Sequence, residues 1–145
     1  MIRIEDILLN YIFLSFIVTW IIVYIIKSFY KARQKKTGFN ILYGLETGGM
    51  PSSHSAVVAA VSMAVFIWQG ISPLLIVSLV FSLIVISDAY SIRRIVGIHG
   101  EIINDFLKKA KKKPIEVVYG HTFFQVVIGI LIGIIVSSLI YLIMF

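Results

Sequence analysis

The stretch LLNYIFLSFIVTWIIVYII, residues 8–26, is apolar almost throughout and carries no charged side chain. A helix needs about 20 such residues to cross the hydrocarbon core of a bilayer, so this stretch predicts a membrane span. The whole chain agrees, because 59% of its 145 residues are hydrophobic and only 14% are charged. A soluble domain of this size would not carry so much apolar surface, and the composition therefore predicts an integral membrane protein.

Three further apolar stretches follow the first one, at residues 53–70, 71–89 and 122–145. The connection WQGISP between the second and third stretches is too short for anything but a tight hairpin, and its proline suits the first turn of a helix. We therefore predict an all-α fold, a single-domain membrane bundle of about four transmembrane helices. The remaining segments are polar and basic, and we expect interfacial helices there, at residues 27–52 and 90–121.

Charge predicts the orientation of this bundle. Twelve of the 13 lysine and arginine residues lie in two segments, 27–36 and 92–113, and each segment follows an odd-numbered span. The positive-inside rule places both segments in the cytoplasm and both termini outside, so we expect a protein of the cell membrane with its polar groups facing the cytoplasm. An anionic substrate would favour lysines on the same side, and the two explanations are compatible.

The second basic segment contains an amphipathic stretch, EIINDFLKKAKKK at residues 101–113. Its apolar residues form one helical stripe with lysines opposite, and Pro114 is expected to end the helix. This pattern is typical of a helix that lies in the membrane interface. The alternative is a solvated loop that binds anionic lipid headgroups.

Unusual polar groups collect at the cytoplasmic ends of the predicted spans. PSSHS (51–55) opens the second span, SDAYSIRR (87–94) closes the third and GHTFFQ (120–125) opens the fourth. All three histidines of the chain therefore lie at one membrane face, namely His54, His99 and His121. The chain has no cysteine, which excludes disulfides, thiolate metal sites and cysteine nucleophiles.

The stretch GGMPSSHS, residues 48–55, combines groups that suit a phosphate. A helix that begins there presents free N–H groups and a partial positive charge, which together form an anion site. His54 adds an acid–base group that titrates near neutral pH. The candidate phosphate-binding residues of this stretch are Gly48, Gly49, Ser52 and Ser53. The alternative is a capped helix with a histidine at headgroup level.

Asp88 lies at the predicted hydrocarbon boundary, where an ionised carboxylate is costly unless it is paired. Arg93 and Arg94 follow within two turns and are its expected partners. One interpretation is a structural ion pair that ends the helix. The other is a functional one, in which an arginine holds a phosphate while Asp88 orients that arginine or a histidine.

His121 and Gln125 are four residues apart on the fourth predicted span, so their side chains can touch. A hydrogen bond to one ring nitrogen would define the tautomer of the histidine, as a nucleophile requires. Gly129 and Gly133 continue this helix with a small-residue face for close packing. We predict a homodimer through these glycines, with packing against the chain's own helices as the alternative.

The three blocks GGMPSSHSA, DAYSIRRIVGIHGEIIN and GHTFFQVVIGILIG resemble the divergent branch of the type 2 phosphatidic acid phosphatase superfamily. They occur in the family's order and span about residues 48–133, and the first block matches at every position. Phe123 stands where the family has proline, and Gln125 stands where it has glutamate. In the second block, IIN replaces the family's LN pair.

The resemblance implies hydrolysis of phosphate monoesters, often of lipids, without a metal or another cofactor. It makes His54 the general acid, by similarity to the family's histidine in a P-S-G-H motif. The nucleophile is left open, because Arg93-x5-His99 has the family's spacing but lacks its acid, whereas His121-x3-Gln125 has an amide in place of that acid. We prefer His121 over His99. The loose candidates for the family's basic motif are Lys27, Lys31 and Arg33.

The sequence therefore predicts a phosphatase that acts on a lipid phosphate at the cytoplasmic membrane surface through a phosphohistidine. The substrate candidates are an isoprenoid phosphate, phosphatidic acid and a phosphoglycerophospholipid. The expected partners are this substrate, membrane lipids and a second copy of the chain, with no nucleic acid and no metal. A rival hypothesis is a protein that binds or transports a lipid phosphate without cleaving it, and a third is a small structural subunit.

Overall fold

The structure is a computed structural model that describes residues 10–46, 48–117 and 119–145, so the first two residues of the predicted first span lie outside the described part. Within the described residues the chain forms five α-helices and no β-strand. The helices are α1 (Tyr11–Lys35), α2 (Ser53–Gln69), α3 (Pro73–Ser87), α4 (Arg93–Lys109) and α5 (Phe123–Met144). The predicted all-α membrane bundle is confirmed.

Three helical stretches are long and apolar enough to cross a membrane: α1, α5 and the continuous run Pro73–Lys109, which contains α3 and α4. Helix α2 has 17 residues and is shorter, about 26 Å at 1.5 Å per residue. It is nevertheless the centre of the bundle, because α1, α3 and α5 all pack against it. Its buried side chains are mostly small, including Ala56, Ala60 and Ala64, which lets its neighbours approach closely.

The closest approach is between α2 and α5. A Cβ atom added to Gly129 would lie 2.6 Å from the carbonyl oxygen of Ser52, and one added to Gly133 would collide with the carbonyl oxygen of Ala56. Both glycines are buried in this contact within one chain. The alternative prediction therefore holds: these glycines pack against the chain's own helices and do not join two copies. The homodimer itself stays a prediction, and it would require another contact surface.

Local signals explain where several helices begin. Ser52 caps α2 by accepting a hydrogen bond from the N–H of Ser55, and Ser72 caps α3 in the same way just before Pro73. Thr122 and Gln125 form a reciprocal capping box at the start of α5. Gly70, with φ of 64°, turns the chain between α2 and α3, which confirms the predicted tight hairpin.

The helix ends differ from the expectations. Helix α1 continues beyond Ile26 to Lys35. The helical run that begins with α3 does not end near Asp88, because a π-helical turn, Asp88–Ile92, connects α3 directly to α4. Helix α4 ends at Lys109 rather than at Pro114. The reason is local: Lys111 adopts a left-handed conformation, and the N–H of Lys112 donates to the carbonyl oxygen of Leu107, a helix-terminating pattern.

Candidate functional site

Two backbone hydrogen bonds bring the three polar blocks together. The N–H of Ser52 donates to the carbonyl oxygen of Gln125 (3.2 Å), which joins the beginnings of α2 and α5. The N–H of His121 donates to the carbonyl oxygen of Ala89 in the π-helical turn (3.0 Å). Residues that are far apart in the sequence therefore meet at one end of the bundle.

A cavity of about 260 Å³ lies at this meeting point. Its wall is formed by α1, by the segment between α1 and α2, by the first turns of α2 and α4 and by the segment before α5. The ionisable and hydroxyl side chains that line it include Lys27, Glu46, Ser53, His54, Arg93 and His121.

His121 is 6% exposed and its ring position is defined by a neighbour. Its Nδ1 lies 3.3 Å from Oε1 of Gln125, and the same oxygen accepts a hydrogen bond from the N–H of Thr122 (3.0 Å). Because Oε1 can only accept, the proton of the neutral ring belongs on Nδ1, and Nε2 keeps its lone pair.

The pKa of His121 is lowered from its usual value, chiefly because burial disfavours the charged ring. Hydrogen bonds to Gln125 and to the backbone of Gly49 oppose this shift, whereas the nearby charges of Lys27 and His54 add to it. A neutral ring that carries its proton on Nδ1 and a lone pair on Nε2 has the state that a nucleophile needs.

The first turn of α2 faces the cavity with unused donors. Ser52 is buried as the helix cap, and its hydroxyl is engaged with Ser55. The N–H groups of Ser53 and His54 have no acceptor among the described residues, as expected at a helix N-terminus. The side chain of His54 remains exposed beside them. The turn therefore combines an anion-binding backbone with an accessible acid–base group.

Two cations face the same space. Lys27 is 5% exposed and lines the cavity, and its ammonium group makes no hydrogen bond or ion pair with any described residue. Arg93 also lines the cavity, and its Nε donates to the Asp88 carboxylate at 2.9 Å. The pair leaves the other guanidinium nitrogens of Arg93 for a further partner.

Glu46 pairs with two lysines beside the cavity. Lys31 lies 3.1 Å and Lys35 lies 2.6 Å from its carboxylate oxygens, and these hydrogen bonds hold the pKa of Glu46 below its usual range. Gly49 packs against these side chains, because a Cβ added there would lie 3.0 Å from Cε of Lys31. Lys31 therefore has a carboxylate partner, whereas Lys27 forms no ion pair with any residue that the structure describes.

Several predicted residues lie away from the cavity. His99 and Arg94 are exposed on α4 and do not line it. The reason is helical geometry: His99 lies six positions after Arg93, and at about 100° per residue their side chains point about 240° apart around the helix. Gly49 and Lys31 do not line the cavity either and pack against each other beside it, whereas Asp88 and Gln125 contact the lining residues Arg93 and His121.

Some lining residues were not predicted. Trp20 and Tyr24 come from α1, and Tyr119 comes from the segment before α5, where its hydroxyl donates to Glu101 (2.9 Å). The sequence offered one signal, since Tyr119 directly precedes the GHTFFQ block. The aromatic residues of α1 resemble ordinary membrane-span residues, and only the packed structure reveals their position.

In the described part of the chain, no three histidine, cysteine, aspartate or glutamate side chains come together as a metal site would require. The cavity is instead lined by cationic and imidazole side chains, namely Lys27, Arg93, His54 and His121. The fold and this cavity define the class as a helical membrane protein with a polar, cation-rich cavity at one end of the bundle.

The family model of the Divergent PAP2 family matches residues 8–136, and the chain therefore belongs to this family. The family is related to a phosphatase superfamily, and the resemblance inferred from the sequence is confirmed. The chain is also 38% identical over 109 residues to the "Uncharacterized membrane protein YuiD" of Bacillus subtilis strain 168, a match that covers 63% of this chain and 69% of the relative. No solved structure matches the chain.

Proposed function

We propose that this protein hydrolyses the phosphate monoester of a membrane lipid through a phosphohistidine intermediate. The observation that supports this most is the cavity in which Lys27, buried and without an ion-pair partner among the described residues, lies with His54 at the start of α2 and His121 just before α5. A buried ammonium group is costly unless an anion compensates it. A bound phosphate group supplies that anion, and in the proposed reaction it is the group that His121 attacks while His54 protonates the departing ester oxygen.

In the first step, Nε2 of His121 attacks the phosphorus atom, and the bond between phosphorus and the ester oxygen breaks. The departing oxygen takes its proton from the imidazolium of His54. Lys27, Arg93 and the N–H groups of Ser53 and His54 stabilise the charge on the remaining phosphate oxygens. Such positioning and charge stabilisation provide most of the catalysis in phosphoryl transfer.

In the second step, a water molecule attacks the phosphohistidine on the opposite side. His54, now neutral, accepts the proton of this water, and the bond between phosphorus and Nε2 breaks. Inorganic phosphate leaves, and both histidines return to their starting protonation states. One group thus serves as acid and then as base, as microscopic reversibility requires.

Neighbouring residues hold these groups in position. Gln125 keeps the proton of His121 on Nδ1, and Asp88 orients Arg93 through the 2.9 Å ion pair. We assign the nucleophile to His121 because it is buried in the cavity wall, whereas His99 is exposed on α4. His99 and Arg94 are then assigned to contact with lipid headgroups.

We further propose that the site faces the cytoplasm at the cell membrane. The lysines of α4 and of the segment after it provide the positive charge expected on that side. The apolar side chains Ile102, Ile103 and Phe106 of α4 are exposed, as an interfacial helix requires. A lipid phosphate would then present its headgroup at the level of the cavity.

A second candidate function is binding or transport of a lipid phosphate without hydrolysis. The observation that favours it is Gln125, because an amide fixes the tautomer of His121 but cannot neutralise the imidazolium that forms during turnover. The cavity would then bind the lipid phosphate without hydrolysing it.

The two candidates are separated by incubating the purified protein with isoprenoid phosphate, phosphatidic acid and phosphatidylglycerol phosphate and measuring the release of inorganic phosphate. We expect release from at least one of them, unchanged by EDTA. Binding without release would favour the second candidate. Loss of activity in EDTA with restoration by magnesium would replace the phosphohistidine mechanism with metal-assisted hydrolysis.

A further inference from the structure

An apolar groove of about 290 Å³ opens directly from the cavity. Trp20, Ser53 and His54 line both spaces, so the groove begins at the proposed acid–base group. Its other walls are Val57 and Val58 of α2 and Phe81 and Val85 of α3. These four side chains carry no polar atom, and we call the space that they line the chain groove.

The helix arrangement explains why the chain groove exists. Helices α1 and α3 both pack on α2, and in the described part of the chain they make no extensive contact with each other. A channel is therefore left between them on the surface of α2. Phe81 is 60% exposed and faces the exterior of the bundle, where the lipid lies. A hydrocarbon chain can thus enter sideways from the bilayer.

We propose that the chain groove binds the hydrocarbon chain attached to the phosphate, and that Val57, Phe81 and Val85 determine which lipids are accepted. The proposal rests on the proposed function and narrows its substrate to lipids with a single chain at the phosphate. A phosphate between Lys27 and His121 directs its ester oxygen toward His54, and the chain that follows that oxygen continues along the groove.

A second apolar groove, of about 470 Å³, lies between α2, α3 and α5. None of the residues that line it lines the cavity or the chain groove. Among the described residues, this second groove therefore offers a second acyl chain of the same lipid no apolar path that is continuous with the cavity. A polyprenyl-type or single alkyl phosphate fits this arrangement better than a diacyl lipid phosphate does.

The first test uses soluble substrates of increasing chain length: ethyl, butyl and hexyl phosphate. We expect kcat/KM to rise by about fourfold for each methylene group that the chain groove buries. Val85→Phe, which fills the groove, should flatten this dependence. Val80→Phe is the matched control, because Val80 lies on the same helix, is exposed and lines neither groove. The proposal would be overturned if kcat/KM did not rise with chain length in the wild type, or if Val85→Phe left that rise unchanged.

The second test requires no catalysis. The chain has two tryptophans, so Trp68→Phe leaves Trp20 as the single fluorophore. A dodecyl phosphonate with bromine near its phosphonate end should quench Trp20 saturably, and unbrominated dodecyl phosphonate should reverse the quenching. Val85→Phe should weaken this quenching and Val80→Phe should not.

Quenching that does not saturate, or that is equal in the two variants, would contradict the chain groove even where phosphate is released. Saturable quenching without phosphate release from any substrate would instead support the chain groove and contradict the proposed hydrolysis. The two proposals therefore fail independently.

Discussion

Lys27 is buried, and its ammonium group has no hydrogen-bond or ion-pair partner among the described residues. Burying an unpaired ammonium group costs several kcal/mol, and a phosphate bound as proposed would compensate this cost. Its neighbour Lys31 differs, because Glu46 already neutralises it. In the proposed function, Lys27 is therefore the cation that binds the substrate phosphate.

Lys27→Met keeps the apolar stem and removes the charge. We expect KM for butyl phosphate to rise by about 10- to 100-fold, the usual effect of losing one charge-assisted hydrogen bond. The variant should also unfold at a higher temperature than the wild type when phosphate is absent. Lys109→Met, at the exposed end of α4, is the control. An unchanged KM in Lys27→Met would remove this residue from the anion site.

Gln125→Glu tests the role of the side chain that holds His121. Glutamate at this position keeps the capping box, so α5 should still begin at the same residue. A carboxylate stabilises the imidazolium that forms during turnover, and we expect kcat to increase.

The pH profile gives a second readout for the same variant. In the wild type, burial lowers the pKa of His121, so activity should persist below pH 6.5, the ordinary value for histidine. A carboxylate beside Nδ1 raises that pKa. The acidic limb of kcat/KM should therefore move to higher pH in Gln125→Glu. An acidic limb at the same pH in both proteins would argue against His121 as the group that must be neutral.

At the scale of the elements, the contact between α2 and α5 holds the site together, since His54 and His121 lie at the adjoining ends of these helices. Gly133→Ala should separate them, because the added Cβ collides with the carbonyl oxygen of Ala56. We expect a loss of about 1–3 kcal/mol in the free energy of unfolding, measured by denaturant titration in micelles.

Gly38→Ala is the matched control for Gly133→Ala. No atom lies within 4 Å of the Cβ that would be added at Gly38, so its stability should be nearly unchanged. If Gly133→Ala were as stable as Gly38→Ala, α5 would not pack on α2 as closely as the structure indicates.

Helix starts could be predicted from the sequence because caps are local. Ser72 and Pro73 are adjacent, and their roles need only the residues of one turn. The continuation through Asp88 could not be predicted, because it depends on a hydrogen bond from the N–H of Arg93 to the carbonyl oxygen of Asp88, one residue longer than in an α-helix. Asp88 and Arg93 were expected to pair, and they do, without ending the helix.

For the whole molecule, the first prediction concerns orientation. The chain has no cysteine, so single cysteines can be introduced without further changes. Ile71→Cys lies in the turn between α2 and α3, where the side chain is 87% exposed, and should react with an impermeant maleimide in intact cells. Lys112→Cys should react only after permeabilisation. The reverse pattern would place the cavity on the outer face.

The convergence of the three polar blocks could be predicted from the alternation of spans, because an even number of crossings returns the chain to the same side. The identity of the residues that line the cavity could not be predicted from the sequence. The topology places His99 and His121 on the same side of the membrane. The helical rotation between Arg93 and His99 turns the His99 side chain away from the cavity that His121 lines. Likewise, Trp20 and Tyr24 line the cavity because α1 packs beside α2, which the sequence of the span does not reveal.

The central claim is that His121 carries the phosphoryl group. The direct measurement is to incubate the protein with a radiolabelled lipid phosphate, quench in alkali and map the labelled residue by mass spectrometry. We expect an alkali-stable phosphohistidine at His121 that is absent in His121→Ala and retained in His99→Ala. Label on His99, or phosphate release by His121→Ala at the wild-type rate, would contradict the mechanism.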